Sequence, residues 1–273
     1  MEISTFYNSI QAGVTEKGLS IDEALEIAYK NGITAIDISS TWFEKEDTSE
    51  FLELIEKHNI HVSSVFAWLY CPVTTEEEYK ESLKIMKNAA DIAKKLKSKY
   101  LMAVPQRPIE SPDAEDELYI KEYIRLFADL AEYGKQIGVQ ITVEDYSEKR
   151  IPYTSFSELD ALLDTIPELK FTYDSGNFPL AGIDEFEGAK RYAQKTVHIH
   201  LKDLIKVDYE TNLLRDGQYY ESVAIGDGYL KNKEALDYLK GVGYDGAVVI
   251  ELCSGKDDFD NMIKSAKALK EML

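Results

Sequence analysis

Eight short β-rich runs recur along the chain, each followed by a longer helical pattern, and this alternation restricts the fold more than any other feature. The strand candidates are EISTFY (2–7), TAIDIS (34–39), VSSVFAW (62–68), YLMAVP (100–105), VQITVED (139–145), KFTYDS (170–175), TVHIHLK (196–202) and AVVIEL (247–252). Helix starts are marked by Ser or Thr three residues before Glu, in SIDE (20–23), TEEE (75–78) and SFSE (155–158), the capping-box spacing. Glycines that precede the next strand, in NGITAIDI, IGVQITVE and GVGYDGAVVIEL, mark the ends. Tyr79, Leu83, Met86, Ala90 and Ala93 form one apolar stripe at helical spacing, the face expected to pack on the sheet.

Eight such units in 273 residues, with no linker or compositional break, predict an α/β fold of the closed (β/α)8 TIM-barrel type, one domain over 1–273. A doubly wound open sheet would want a G-x-G-x-x-G loop after an early strand, and the sequence has none. One long irregular stretch, about 204–229, reads as two extended runs around Asp216-Gly217, a hairpin-like insertion over the barrel mouth.

The chain carries 50 acidic and 31 basic residues, a formal net charge of −19 that opposes a phosphate backbone. Nucleic acid is therefore excluded as a partner and a small molecule favoured. No apolar run is long enough to cross a membrane and the amino terminus has no leader pattern, so a soluble cytoplasmic protein is expected. The two cysteines, Cys71 and Cys253, make neither a disulfide framework nor a C-x-x-C pair and read as pocket lining. A homo-oligomer is compatible with the sequence.

In a barrel of this kind the chemistry lies at the carboxyl ends of the strands. Strands five to eight end in Glu144, Asp174, His200 and Glu251, while Val143, Tyr173, Ile199 and Ile250 before them should face the helices. Three carboxylates and an imidazole gathered at one mouth repel strongly without a cation. A divalent metal is expected there, and the oxygen-rich set suits Mn2+, Mg2+ or Co2+, with Zn2+ also compatible. His198 and His200 both face inward about 6.5 Å apart, too far for easy ligation of one ion from a rigid strand. His200, nearer the mouth, is taken as ligand, and His198, one layer deeper, as a residue hydrogen-bonded beneath the site, in support of it or as a plain core histidine. Lys202 faces inward at the rim, placed to hold a substrate oxygen or to pair with a carboxylate. His58 and His61 lie at a helix end and a strand start, away from this mouth, and read as structural.

These residues, in the motifs VED (143–145), DSGN (174–177), HIHLKD (198–203), GDG (226–228) and IEL (250–252), resemble the sugar phosphate isomerase/epimerase family. That family comprises xylose-isomerase-like barrels and includes ketose 3-epimerases, hydroxypyruvate isomerases and inosose dehydratases. The resemblance covers essentially the whole chain. It implies that Glu144, Asp174, His200 and Glu251 are the metal ligands, and that Glu144 and Glu251 are also the acid and base. Several members carry histidine where this chain has Asn177, which can orient a substrate hydroxyl but cannot titrate. A multi-zinc phosphodiesterase of the same superfamily would need more than the chain's four histidines.

The implied chemistry is proton transfer next to a carbonyl through an enediolate, in a metal-dependent isomerase or epimerase acting on a sugar. A dehydratase acting on a sugar or inosose is the second reading, and a non-catalytic sugar-binding barrel a third. Phe6, Tyr7, Trp42, Trp68, Gln106 and Arg107, beyond strands one to four, are expected to shape the substrate site. Ser254, Gly255 and Lys256 offer a weak anion site, flanked as Lys256 is by Asp257 and Asp258, which favours an unphosphorylated sugar.

Overall fold

The computed structural model describes residues 1–43, 48–70, 75–106, 116–146, 153, 155–209, 211–213, 218–253 and 256–273. Arg107, Cys71, Ser254, Gly255 and the Asp216-Gly217 turn lie outside the described residues. The barrel strands are β1 (Glu2–Phe6), β2 (Ile33–Ser39), β3 (His61–Tyr70), β4 (Tyr100–Gln106), β5 (Gln140–Glu144), β6 (Lys170–Asp174) and β7 (Thr196–Leu201). A further three, β8 (Asp203–Val207), β9 (Asn212–Leu213) and β10 (Tyr219–Val223), precede the last barrel strand, β11 (Ala247–Ile250). Eight parallel strands close in the order β1-β11-β7-β6-β5-β4-β3-β2, the TIM barrel expected from the alternation.

The helices are α1 (Tyr7–Lys17), α2 (Ile21–Lys30), α3 (Thr48–Lys57), α4 (Glu76–Lys95) and α5 (Asp116–Ile137), then α6 (Phe156–Thr165), α7 (Asn177–Leu180), α8 (Glu185–Tyr192), α9 (Asn232–Gly241) and α10 (Asp258–Met272). Capping boxes are present at Ser20/Glu23, Thr75/Glu78 and Ser155/Glu158. In α4, Tyr79, Met86, Ala90 and Ala93 are buried and Leu83 packs against the core. Gly138 turns the chain from α5 into β5 at φ 81°, a left-handed backbone that a side chain would strain. Helix α1 starts directly at Tyr7, the last residue of the strand run expected over 2–7, without a capping side chain. Its close packing rests on Gly13, where a Cβ would lie 2.7 Å from the Phe259 ring.

Strands β5, β6, β7 and β11 turn Val143, Tyr173, Ile199 and Ile250 into the apolar layer beneath the helices. Asp174 is paired in register with His200, so these two side chains stand next to each other at the mouth. Strands β8, β10 and β9 form a separate antiparallel sheet directly after β7. Its two ends are tied by Asp203, whose carboxylate accepts backbone N–H bonds from Leu204 (3.0 Å), Gly226 (2.9 Å), Gly228 (3.0 Å) and Leu230 (3.2 Å). Gly228 is required there because a Cβ would fall 2.0 Å from Asp203 Oδ1. The GDG motif is thus the partner of the aspartate in HIHLKD. Among the described residues, no helix is long and apolar enough to cross a membrane.

Candidate metal centre and substrate cavity

One ligand-type atom from each of Glu144, Asp174, His200 and Glu251 lies within 4.8 Å of the other three. Glu144 closes β5, Asp174 closes β6 and His200 stands within β7, whereas Glu251 lies one residue beyond β11. His200 Nδ1 is 2.6 Å from Glu144 Oε1 and 3.2 Å from Glu251 Oε2. Asp174 Oδ1 accepts the backbone N–H groups of Gly176 (2.6 Å) and Asn177 (2.9 Å), the turn written by DSGN. Its other oxygen faces the Lys202 ammonium, which also lies 2.8 Å from Glu251 Oε1.

Burial and charge act in opposite directions across this cluster. Burial, reinforced by the neighbouring carboxylates, pushes Asp174 up to about 7, despite Lys202 beside it. Glu251 is also buried, yet Lys202 and His200 outweigh that and hold it below the usual carboxylate range. His200 is held well above the usual imidazole range: burial opposes its charge, but Glu144, Asp37 and Glu251 surround it. Lys202 is raised for the same reason, by Asp174 and Glu251.

The donor set fits a divalent ion. Oxygen and nitrogen ligands at about 2.0–2.2 Å from one centre stand roughly 3 to 4.4 Å from one another, the scale of this cluster. Three carboxylates around one imidazole already draw a cation to two of them, the Lys202 ammonium. Glu144, Asp174, His200 and Glu251 are therefore the residues that could hold the ion.

Above the cluster opens a cavity of about 330 Å³. Phe6, Phe66 and Trp68 make an edge-to-face ladder along one wall, with ring centroids 5.4 and 6.1 Å apart. Glu144, His200, Lys202 and Glu251 contribute the polar lining, and Asn177 joins them with its Oδ1 3.4 Å from Lys202 Nζ. Of the residues expected to shape a substrate site, Phe6, Trp68, Asn177 and Lys202 line this cavity. Gln106 does not: its Nε2 donates to the Tyr146 hydroxyl at 3.3 Å, and Tyr146 lines the wall in its place. Tyr7 is buried against Trp42 and Phe51, because the chain turns into α1 at that residue. Cys253 lines the cavity as a free thiol, its Sγ 3.7 Å from Glu251 Oε1. His58 pairs with Asp22 (2.7 Å) and His61 with Glu2 (3.3 Å), away from the cluster.

Several residues of the site were not expected from sequence. Tyr220 and Ser222, alternate positions of β10, reach the cavity from the antiparallel sheet. Beneath the cluster, Asp37 of β2 binds both histidines: its Oδ2 lies 2.7 Å from His198 Nε2 and 3.1 Å from His200 Nε2. Its Oδ1 accepts from Ser63 Oγ at 2.6 Å, and Ser63 shares a 2.7 Å hydrogen bond with Ser4. The alternation of β2 carried the signal for Asp37. Ile36 and Ile38 pack into the outer apolar layer, which turns Ala35, Asp37 and Ser39 the other way.

A closed parallel barrel of eight strands with a carboxylate–histidine cluster at their carboxyl ends has the architecture of a (β/α)8 barrel with its site in the usual place. Residues 25–272 match the family described as xylose isomerase-like TIM barrel, and the chain belongs to that family. An inosose isomerase of Halalkalibacterium halodurans is 23% identical over 235 residues, 84% of this chain and 81% of the relative. An inosose dehydratase of Clostridium perfringens is 23% identical over 246 residues, 82% of this chain and 81% of the relative. Among solved structures, the IolI protein with a zinc atom superposes with a TM-score of 0.78 at 19% identity, covering 100% of this chain and 98% of that one. A D-tagatose 3-epimerase-like protein gives a TM-score of 0.78 at 19% identity, covering 100% and 97%.

Proposed function

We propose that this protein is a divalent-metal-dependent isomerase or epimerase that moves a proton beside the carbonyl of a sugar or an inosose-like ring ketone. The observation that carries the reading is the placement of Glu144 and Glu251, on strands that flank the β6–β7 pair bearing Asp174 and His200. Mn2+, Mg2+, Co2+ or Zn2+ would be held by Glu144, Asp174, His200 and Glu251. A bound divalent ion supplies electrophilic polarisation of a carbonyl and its neighbouring hydroxyl, which acidifies the C–H between them.

The protein's own groups do the remaining work. One glutamate removes the acidified proton and the other returns one. Return to the opposite face of the same carbon gives an epimer, and return to the neighbouring carbon gives an aldose–ketose isomer. Lys202 and Asn177 hold substrate oxygens at the polar wall, and the Phe6–Phe66–Trp68 ladder takes a C–H face of the ring and keeps water from it. The Asn177 amide orients a hydroxyl without exchanging a proton.

A dehydratase is the second reading, supported by the relatives that bear that name. There the same proton abstraction is followed by loss of a β-hydroxyl as water. The test is incubation with Mn2+ and a panel of ketoses, aldoses and inososes in deuterated water. Deuterium at the α-carbon with unchanged carbon skeleton and oxygen count is expected for the isomerase, and a product lighter by one water identifies the dehydratase. Binding of a sugar with no exchange from any of them would refute both.

A further inference from the structure

We infer that Asp37 is a positioning residue that sets which nitrogen of His200 faces the carboxylate cluster. The inference rests on the metal reading given above. Asp37 reaches the barrel axis from β2, separated from β7 by β1 and β11 around the wall. Its Oδ2 accepts from His200 Nε2 at 3.1 Å and from His198 Nε2 at 2.7 Å. With Nε2 engaged as a donor to Asp37, Nδ1 is the ring nitrogen that faces Glu144 Oε1 and Glu251 Oε2, and it is the one that would offer a lone pair to a metal on loss of its proton.

One further hydrogen bond, itself braced, makes Asp37 a fixed reference. Its Oδ1 is held by Ser63 Oγ at 2.6 Å, itself braced by Ser4 at 2.7 Å, and Asp37, Ser63 and Ser4 are all buried. The ring of His200 is flanked edge-to-face by Phe6 at 5.1 Å and by His198 at 5.3 Å, so it has little room to rotate. His198 Nδ1 has no hydrogen-bond partner among the described residues, so Asp37 is the hydrogen-bond partner that the two rings share. A carboxylate on the far nitrogen also makes the near one a stronger donor to a metal, and removal of such a partner typically weakens metal binding about 10- to 100-fold.

The experiment is titration of the metal-free full-length protein with Co2+, followed by visible absorption, in the wild type, Asp37→Asn and Ser63→Ala. Asparagine keeps the volume and one acceptor oxygen but loses the charge. The expected result is Co2+ binding by the wild type, binding about 10- to 100-fold weaker with an altered d–d spectrum in folded Asp37→Asn, and a smaller loss in Ser63→Ala. A residue that only supported the fold would lower the melting temperature and leave the cobalt spectrum and affinity alone. Affinity within about twofold of wild type and an unchanged spectrum in Asp37→Asn would overturn the inference while leaving the metal reading intact. Failure of the wild type to bind would remove the metal reading itself. Should Asp37→Asn not fold, imidazole nitrogen shifts of the zinc-loaded wild type decide independently. A proton on His200 Nε2 and metal on Nδ1 are expected, and the opposite tautomer contradicts the inference.

Discussion

Replacing Asp203 by alanine should cost the fold several kcal/mol and leave the metal donors untouched. The Asp203 carboxylate is 1% exposed and accepts N–H bonds from Leu204, Gly226, Gly228 and Leu230. The Leu204 and Leu230 bonds are buried, so removing the acceptor strands two donors at about 1–3 kcal/mol each. The Gly226 and Gly228 bonds are part-buried, and water can replace the carboxylate there at a loss of about 0.5–1.5 kcal/mol each. The four bonds together come to about 3–9 kcal/mol, and relaxation of the loop brings the total to the lower half of that range, about 3–6 kcal/mol, among the larger single-residue effects. For a chain of this size the melting temperature should fall by roughly 10 °C. Urea unfolding followed by circular dichroism gives the free energy, and metal titration of the folded variant gives the control. Because Asp203 ties both ends of the sheet that carries Tyr220 and Ser222, the Michaelis constant should rise while metal affinity holds. A loss below about 1 kcal/mol would refute the claim that this carboxylate organises the loop.

Other predictions concern the cluster itself. Purified protein should take up about one divalent ion per chain, and Asp174→Ala or His200→Ala should abolish most of it, as metal analysis after gel filtration would reveal. His198→Ala, which removes a partner of Asp37 and no ligand, should weaken metal binding less than His200→Ala; the reverse ranking in a titration series would reassign the ligand. Metal affinity should climb as pH rises through about 7, because Asp174 and His200 are both raised and the ion must displace their protons. Calorimetry in buffers of different ionisation enthalpy should register that proton release, and a pH-independent affinity would contradict it.

The barrel was legible in the sequence because its rules are local. Period-two runs, capping boxes and glycine turns each act over a few residues, and all pointed to the same alternation. The cluster at the mouth was legible for a related reason: in this topology a polar residue that ends a strand has only one place to go, as Glu144 and Asp174 illustrate. What escaped depends on distant partners. Asp37 reads as an ordinary polar residue in TAIDIS until the closed barrel brings β2 across from β7. Tyr220 and Ser222 belong to an insertion whose register is set by pairing of β10 with β8, which no single segment announces. For Gln106 a strand-end position says which mouth the residue serves, but not that its amide donates to Tyr146, which lines the wall.

Glu144 and Glu251 are expected to handle the proton from the two sides of the cluster. Glu144→Gln and Glu251→Gln keep size and an oxygen for the metal but remove the base, so each should be assayed with Mn2+ and substrate in deuterated water. Positioned acid–base groups contribute about 10²- to 10⁴-fold, so turnover should fall at least that far in both variants while substrate still binds. If the reaction is an epimerisation, each variant should retain exchange of the α-proton from one epimer and lose it from the other. Near wild-type turnover by both metal-loaded variants would rule out this acid–base role and leave the two glutamates as ligands alone.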